Sequence, residues 1–110
     1  MKHKEDKRME TIDRNRTKYE AEKESRDKRL KAYADAIQNM VQNSTTEVVK
    51  ELVTERKRQG MTQQELADIT GILPPNLARI ESGKHIPTLV VLEKYASALG
   101  KRIEIKVSDD

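Results

Sequence analysis

The chain of 110 residues contains no cysteine, no tryptophan and no phenylalanine. The missing cysteines exclude disulfides, thiolate zinc sites and cysteine nucleophiles together. Two histidines, His3 and His85, stand far apart, and no glycine-rich phosphate loop occurs, so metal and acid–base chemistry find little to work with. An enzyme is not expected, and no metal or cofactor is implied. Three tyrosines are the only aromatics, which leaves the core to aliphatic side chains. No apolar run approaches the roughly 20 residues of a membrane span. The first residues, Met1 to Asp6, are charged rather than leader-like, so a cytoplasmic protein without a membrane partner is expected.

What is present is charge, on 37% of the residues, with a net +3. Residues 1–43 hold 12 basic and 9 acidic side chains, and residues 44–110 hold 10 of each, so the whole excess lies in the N-terminal part. Any polyanion contact in the remaining two-thirds must therefore come from locally clustered cations rather than a general positive field. Residues 2–31 mix both signs around isolated Met9, Ile12 and Tyr19. Such a segment is a solvated helix, with pairs such as Glu24 and Lys28, or a disordered arm; a frayed or partner-dependent helix is favoured. From Leu30 the apolar residues Leu30, Tyr33, Ile37 and Met40/Val41 recur at three and four residues and make one face. That face packs on its own domain or a dimer mate, or serves as a dock for a second protein.

Beyond Asn43 the punctuation turns regular. Ser44 and Glu47 have capping-box spacing, Val48, Val49, Leu52 and Val53 form a stripe, and Gly60 suits a helix end, predicting a helix over about 45–59. Thr62 and Glu65 repeat the box, and Leu66, Ala67 and Ile69 lead to Gly71, predicting a second helix of barely two turns. Pro74 and Pro75 suit the first turn of a third helix, with Leu77 and Ile80 as core contacts before Gly83. Pro87 and Thr88 open a fourth, with Leu89, Leu92, Tyr95/Ala96 and Leu99 facing inward and Gly100 closing it. Residues 101–107 then alternate, with Ile103, Ile105 and Val107 on one face of a single strand. A lone strand leaves its backbone groups unpaired, so it pairs with a second copy in a two-fold dimer or stays an exposed tail.

Two short helices joined by a glycine turn match a helix-turn-helix, whose second helix enters the DNA major groove. The residues agree: Gln63, the Glu65-Leu66-Ala67 block, Gly71, the Arg79-Ile80-Glu81 run with Gly83-Lys84, Pro87 and Ala98-Leu99-Gly100. Over about residues 48–100 the chain strongly resembles the Cro/lambda-repressor (XRE-type) helix-turn-helix family. The fold class expected is all-α: a lambda-repressor-like domain over 44–100, a charged helical extension over 1–43, and a C-terminal dimerisation strand and tail over 101–110.

The resemblance implies a role for each matching position. Gln63, Ser82 and Lys84 fall on the phosphate backbone. Base reading falls on the outer face of the third helix, at Pro74, Pro75, Asn76 and Arg79. Arg79 can fork onto a guanine edge and Asn76 onto an adenine, whereas the two prolines, where the family is often polar, are left with apolar contact to a thymine methyl. Arg79 as a simple phosphate cation, and Gln63 as a mere helix-start residue, are the alternatives. Arg56 and Glu81 match a structural ion pair of the family, and His85 is a loop residue. A helix-turn-helix followed directly by A-L-G-K-R and an alternating strand looks like the HigA-type and HipB-type antitoxins. The resemblance thus implies a homodimer on an operator inverted repeat in double-stranded DNA, and a cognate toxin as protein partner, with the operon repressed by its own product. The alternatives are a stand-alone phage- or plasmid-type repressor, and an interaction protein that has lost DNA binding.

Overall fold

The computed structural model describes residues 2–109, with side chains from residue 15 onward. Its elements are α1 (Lys2–Arg58), α2 (Gln63–Thr70), α3 (Pro74–Glu81) and α4 (Leu89–Ala98), and the class is all-helical, as expected. The chain divides into two units, Met1–Asn39 and Met40–Asp110. The first is a length of α1; the second holds the rest of α1 and the three short helices.

Neither glycine nor proline precedes Gly60, so nothing in the backbone stops a helix once it has begun. The helix expected to start near residue 45 does not begin there, and Ser44 lies inside α1. A cap residue only permits a helix start, and with no glycine or proline here the helix runs on through it; within it the Thr46 hydroxyl donates to the Gln42 carbonyl at 2.7 Å, one turn back. Tyr19, Leu30, Tyr33 and Ile37 are exposed on this helix. The side chains of Met9 and Ile12 lie outside the described residues.

Gly60 ends α1 in the left-handed region, φ 71°, where a side chain would be strained. The Thr62 hydroxyl then accepts from the Glu65 amide at 3.0 Å and starts α2. Gly71, φ 76°, turns the chain out of α2 with its N–H on the Ala67 carbonyl at 2.8 Å. Three residues later Pro74 and Pro75 occupy the opening turn of α3. Thr88 caps α4 by accepting from the Val91 amide at 3.2 Å. Helix α2 packs on both α3 and α4. The core is Val49 and Leu52 of α1, Leu66 and Ala67 of α2, Leu77 and Ile80 of α3, and Leu92, Tyr95, Ala96 and Leu99 at α4.

One further expectation requires correction, and one is not met within a single chain. Leu89 does not face inward; it is 55% exposed. Its spacing puts it on the inner face, but α2 is short, and Ile69 and Thr70 at its end form an open groove with Leu89 and Val90 rather than a cover. Within one chain the strand over 101–107, expected to pair with a second copy or to stay an exposed tail, is not formed, and residues 101–109 carry no regular secondary structure. A strand exists only by its ladder, and the described residues offer no extended mate. Ile103 packs half-buried against the core, while Ile105 and Val107 are exposed.

Candidate nucleic-acid interface

Helix α3 has two faces set by its period. Leu77 and Ile80 point into the core, and Pro74, Pro75, Asn76, Ala78 and Arg79 stay exposed. Asn76 and Arg79, three apart, lie on the same side of the helix and carry its hydrogen-bonding capacity outward. Ser82 ends α3, its hydroxyl donating to the Arg79 carbonyl at 3.1 Å, and Lys84 is exposed in the loop that follows. Between α3 and α4 runs a groove lined by Leu73, Asn76, Arg79, His85, Thr88 and Lys94 among others, with no carboxylate on its walls. Each of the other three depressions described on this unit includes at least one glutamate.

Behind this face, Glu81 gathers side chains from every helix of the domain. Arg56 of α1 donates to both carboxylate oxygens, Nε to Oε2 at 3.0 Å and Nη2 to Oε1 at 2.9 Å. Tyr95 of α4 donates to Oε2 at 2.7 Å, and Gln63 of α2 donates to Oε1 at 2.9 Å. Arg56 also reaches the Met61 carbonyl at 2.8 Å, which ties the end of α1 to the turn before α2. Both members of the ion pair have side chains only 8% exposed. Burial pushes the Glu81 carboxyl up, but the Gln63, Arg56 and Tyr95 donors and the Arg56 charge outweigh it and hold the group below the ordinary carboxylate range. Burial and the bond to Glu81 push the Tyr95 hydroxyl up, so it remains a proton donor. No buried side-chain polar atom lacks a partner among the described residues. Such a network holds α2 and α3 in one mutual arrangement.

Gln63 opens α2, where the first amides have no carbonyl of their own turn to bind. Its side-chain amide is turned inward to Glu81, so the hub and the helix start share one residue. The family resemblance implies Arg56 and Glu81 as a pair, but neither it nor the spacing marks Gln63 and Tyr95 as members of the network. Its helical spacing with Leu92 and Leu99 marks Tyr95 only as an inward-facing position. The available signal was the choice of tyrosine, in a chain without phenylalanine, at a buried helical position. Leu73 was also missed, since nothing in its spacing marks it as exposed.

The family profile described as helix-turn-helix matches residues 52–106, half of the chain. An uncharacterized HTH-type transcriptional regulator of Haemophilus influenzae is 38% identical over 63 residues, which are 57% of this chain and 64% of that protein. A second uncharacterized HTH-type transcriptional regulator, from Methanothermobacter thermautotrophicus, is 37% identical over 46 residues, 42% of this chain and 67% of that one. The chain thus spans less than two thirds of the H. influenzae relative. Among solved structures, a chain of a toxin-antitoxin module from Streptococcus pneumoniae superposes with a TM-score of 0.51 and 29% identity, covering 60% of this chain and 73% of that one. The chain belongs to the helix-turn-helix family, of the XRE type. No helix among the described residues is long and apolar enough to cross a membrane.

Proposed function

We propose that this protein is a sequence-specific, double-stranded-DNA-binding transcriptional regulator that acts as a homodimer in the cytoplasm. The observation that carries the reading is the exposed face of α3, where Asn76 and Arg79 border a groove that also holds Lys94 and no carboxylate. Asn76 and Arg79 read base edges, with Pro74 and Pro75 making apolar contact, and Gln63, Ser82 and Lys84 hold the phosphate backbone. Gln63 must share its amide between Glu81 and a phosphate, which makes the hub part of the positioning of α2. No residue is assigned a catalytic role. The protein further acts as the antitoxin of a toxin–antitoxin pair that represses its own operon. The likeness to the S. pneumoniae module supports this, as do the exposed Leu30, Tyr33 and Ile37 of α1, which offer a toxin an apolar face. Titrating the protein against its own promoter at two salt concentrations, with and without the product of the adjacent gene, tests both parts. Specific, salt-dependent binding that the neighbour alters is the expected result. Specific binding indifferent to the neighbour removes the antitoxin role, and no specific binding removes the regulator.

Residue roles separate in the same assay. Arg79→Ala costs about 1–3 kcal/mol on the operator and relaxes preference at one position, because a bidentate base contact is lost. Lys84→Ala weakens all duplexes alike and reduces the salt slope by about 1, because one phosphate contact is lost. Equal loss on operator and scrambled DNA for Arg79→Ala would assign it to the backbone instead.

The dimer rests on residues 101–107 of two copies pairing antiparallel, which gives Ile105 and Val107 the cover they lack in one chain and brings the two α3 helices about 34 Å apart, one DNA turn. Ile105→Asp, a charge at the centre of that ladder, converts dimer to monomer in sedimentation and lowers operator affinity in consequence. An unchanged dimer would place the interface elsewhere.

A further inference from the structure

Glu81 accepts more hydrogen bonds than its ion pair requires. Arg56 alone completes the pair, with Nε on Oε2 and Nη2 on Oε1, and its third nitrogen, Nη1, is held by the Met61 carbonyl at 2.8 Å. A carboxylate has room for about four donors, two on each oxygen. Tyr95 takes the second place on Oε2, at 2.7 Å, and Gln63 the second place on Oε1, at 2.9 Å. These two added donors differ in what else they can reach. Tyr95 is 1% exposed, so its hydroxyl stays inside whatever binds at the surface. Gln63 is exposed at the start of α2, and its amide can follow a ligand outward only as far as Oε1 releases it.

A phenylalanine ring would fill the same space in the core; what tyrosine adds there is one more proton on Glu81. The carboxylate carries a single negative charge, and donors that converge on it compete for that charge, so each added hydrogen bond weakens the others. We infer that Tyr95 is a positioning residue for DNA binding: by sharing the charge of Glu81, its hydroxyl loosens the hold of Oε1 on Gln63 and leaves the Gln63 amide able to turn to a phosphate. This rests on the phosphate-binding role proposed for Gln63 above. Phosphate contacts carry no sequence information, so Tyr95 sets how tightly any duplex is held and not which duplex is preferred.

A double-mutant cycle of Tyr95→Phe and Gln63→Ala, read as affinity for the operator and for a scrambled duplex of equal length, tests this. Melting curves fix an assay temperature at which the variants are folded. Gln63→Ala alone weakens both duplexes. Tyr95→Phe alone weakens both by about two- to tenfold, the range of one hydrogen bond, and leaves the preference between them and the salt slope unchanged because no cation is lost. In the Gln63→Ala background, Tyr95→Phe has no further effect. Damage to the fold would instead lower affinity by the same factor in both backgrounds. Hydrogen exchange of the Gln63 side-chain amide in the DNA-free protein, followed by NMR, reads the bond itself and slows in Tyr95→Phe. Equal losses from Tyr95→Phe in both backgrounds, or amide exchange that does not slow, overturn the inference while leaving DNA binding in place. A Tyr95→Phe chain that is unfolded even in the cold makes the hydroxyl a requirement of the fold and overturns it as well. Gln63→Ala that binds both duplexes like wild type overturns the phosphate role of Gln63, and this inference with it. Wild-type protein that binds neither duplex overturns the DNA-binding role itself.

Discussion

Glu81→Ala lowers the stability of the folded domain by about 3–5 kcal/mol at neutral pH, the cost of leaving a buried cation without its partner. Arg56 has a side chain only 8% exposed and cannot swing into water without opening the core around Leu52 and Tyr95. The alanine removes the acceptor of four donor atoms at once, from Arg56, Tyr95 and Gln63. Three of these donor atoms sit on the buried Arg56 and Tyr95; Arg56 Nε keeps the Tyr95 oxygen at 3.3 Å, but Arg56 Nη2 and the Tyr95 hydroxyl lose their acceptor, and each such group costs on its own. Glu81→Gln, which keeps the shape and one acceptor oxygen but loses the charge, falls in between.

The same substitution has a pH signature. The carboxyl of Glu81 is held below its ordinary range in the folded protein, so its ionised form is favoured by folding. That contribution is complete above the unfolded value of about 4.3 and is lost as the pH falls through the lower, folded value. The stability gap between wild type and Glu81→Ala is therefore widest near neutrality and narrows below about pH 4. Urea unfolding at pH 7 and pH 3.5 reads both quantities. A gap under about 1 kcal/mol at pH 7, the range of an exposed pair, would show that the hub contributes little beyond geometry.

Leu77→Ala costs about 2–5 kcal/mol, the range for a leucine lost from a core that cannot collapse. Leu77 has no exposed surface and sits in the cluster with Leu66, Ile80 and Tyr95. It flanks Asn76 in sequence yet points the opposite way, so its loss acts on stability rather than on reading. At a temperature where the variant is still folded, its preference among DNA sequences should match wild type. Leu89→Ala is the contrast: the same chemistry at a largely exposed position should stay within about 0.5 kcal/mol. If the two variants melted alike, the inward face of the domain would be misplaced.

How far the chain could be read without its structure differs from element to element. The three short helices were legible because their signals are local. Thr62 and Thr88 are caps, Gly71 takes a left-handed turn, and Pro74 and Pro75 stand where a missing N–H costs nothing. The boundary near Ser44 was misread for the same local reason: the cap chemistry was present, but no residue between Lys2 and Arg58 forbids a helix, and continuation prevailed. The outward face of α3 followed from the burial of Leu77 and Ile80 in between. Leu73 did not, because exposure at a helix cap depends on what the fold brings over it.

By itself, then, the sequence determined the helical class, the caps and turns of α2, α3 and α4, and the alternation of inner and outer residues along them. These depend on dihedral preferences and hydrogen bonds reaching no more than about four residues along the chain. Tertiary structure alone decided that Gln63 and Tyr95 join Arg56 on Glu81, that Leu89 and Leu73 lie open, and that residues 101–109 form no strand within one chain. Each of those is a matter of which distant groups meet, and a buried carboxylate, a covered leucine or a β-ladder exists only where another part of a structure supplies its other half.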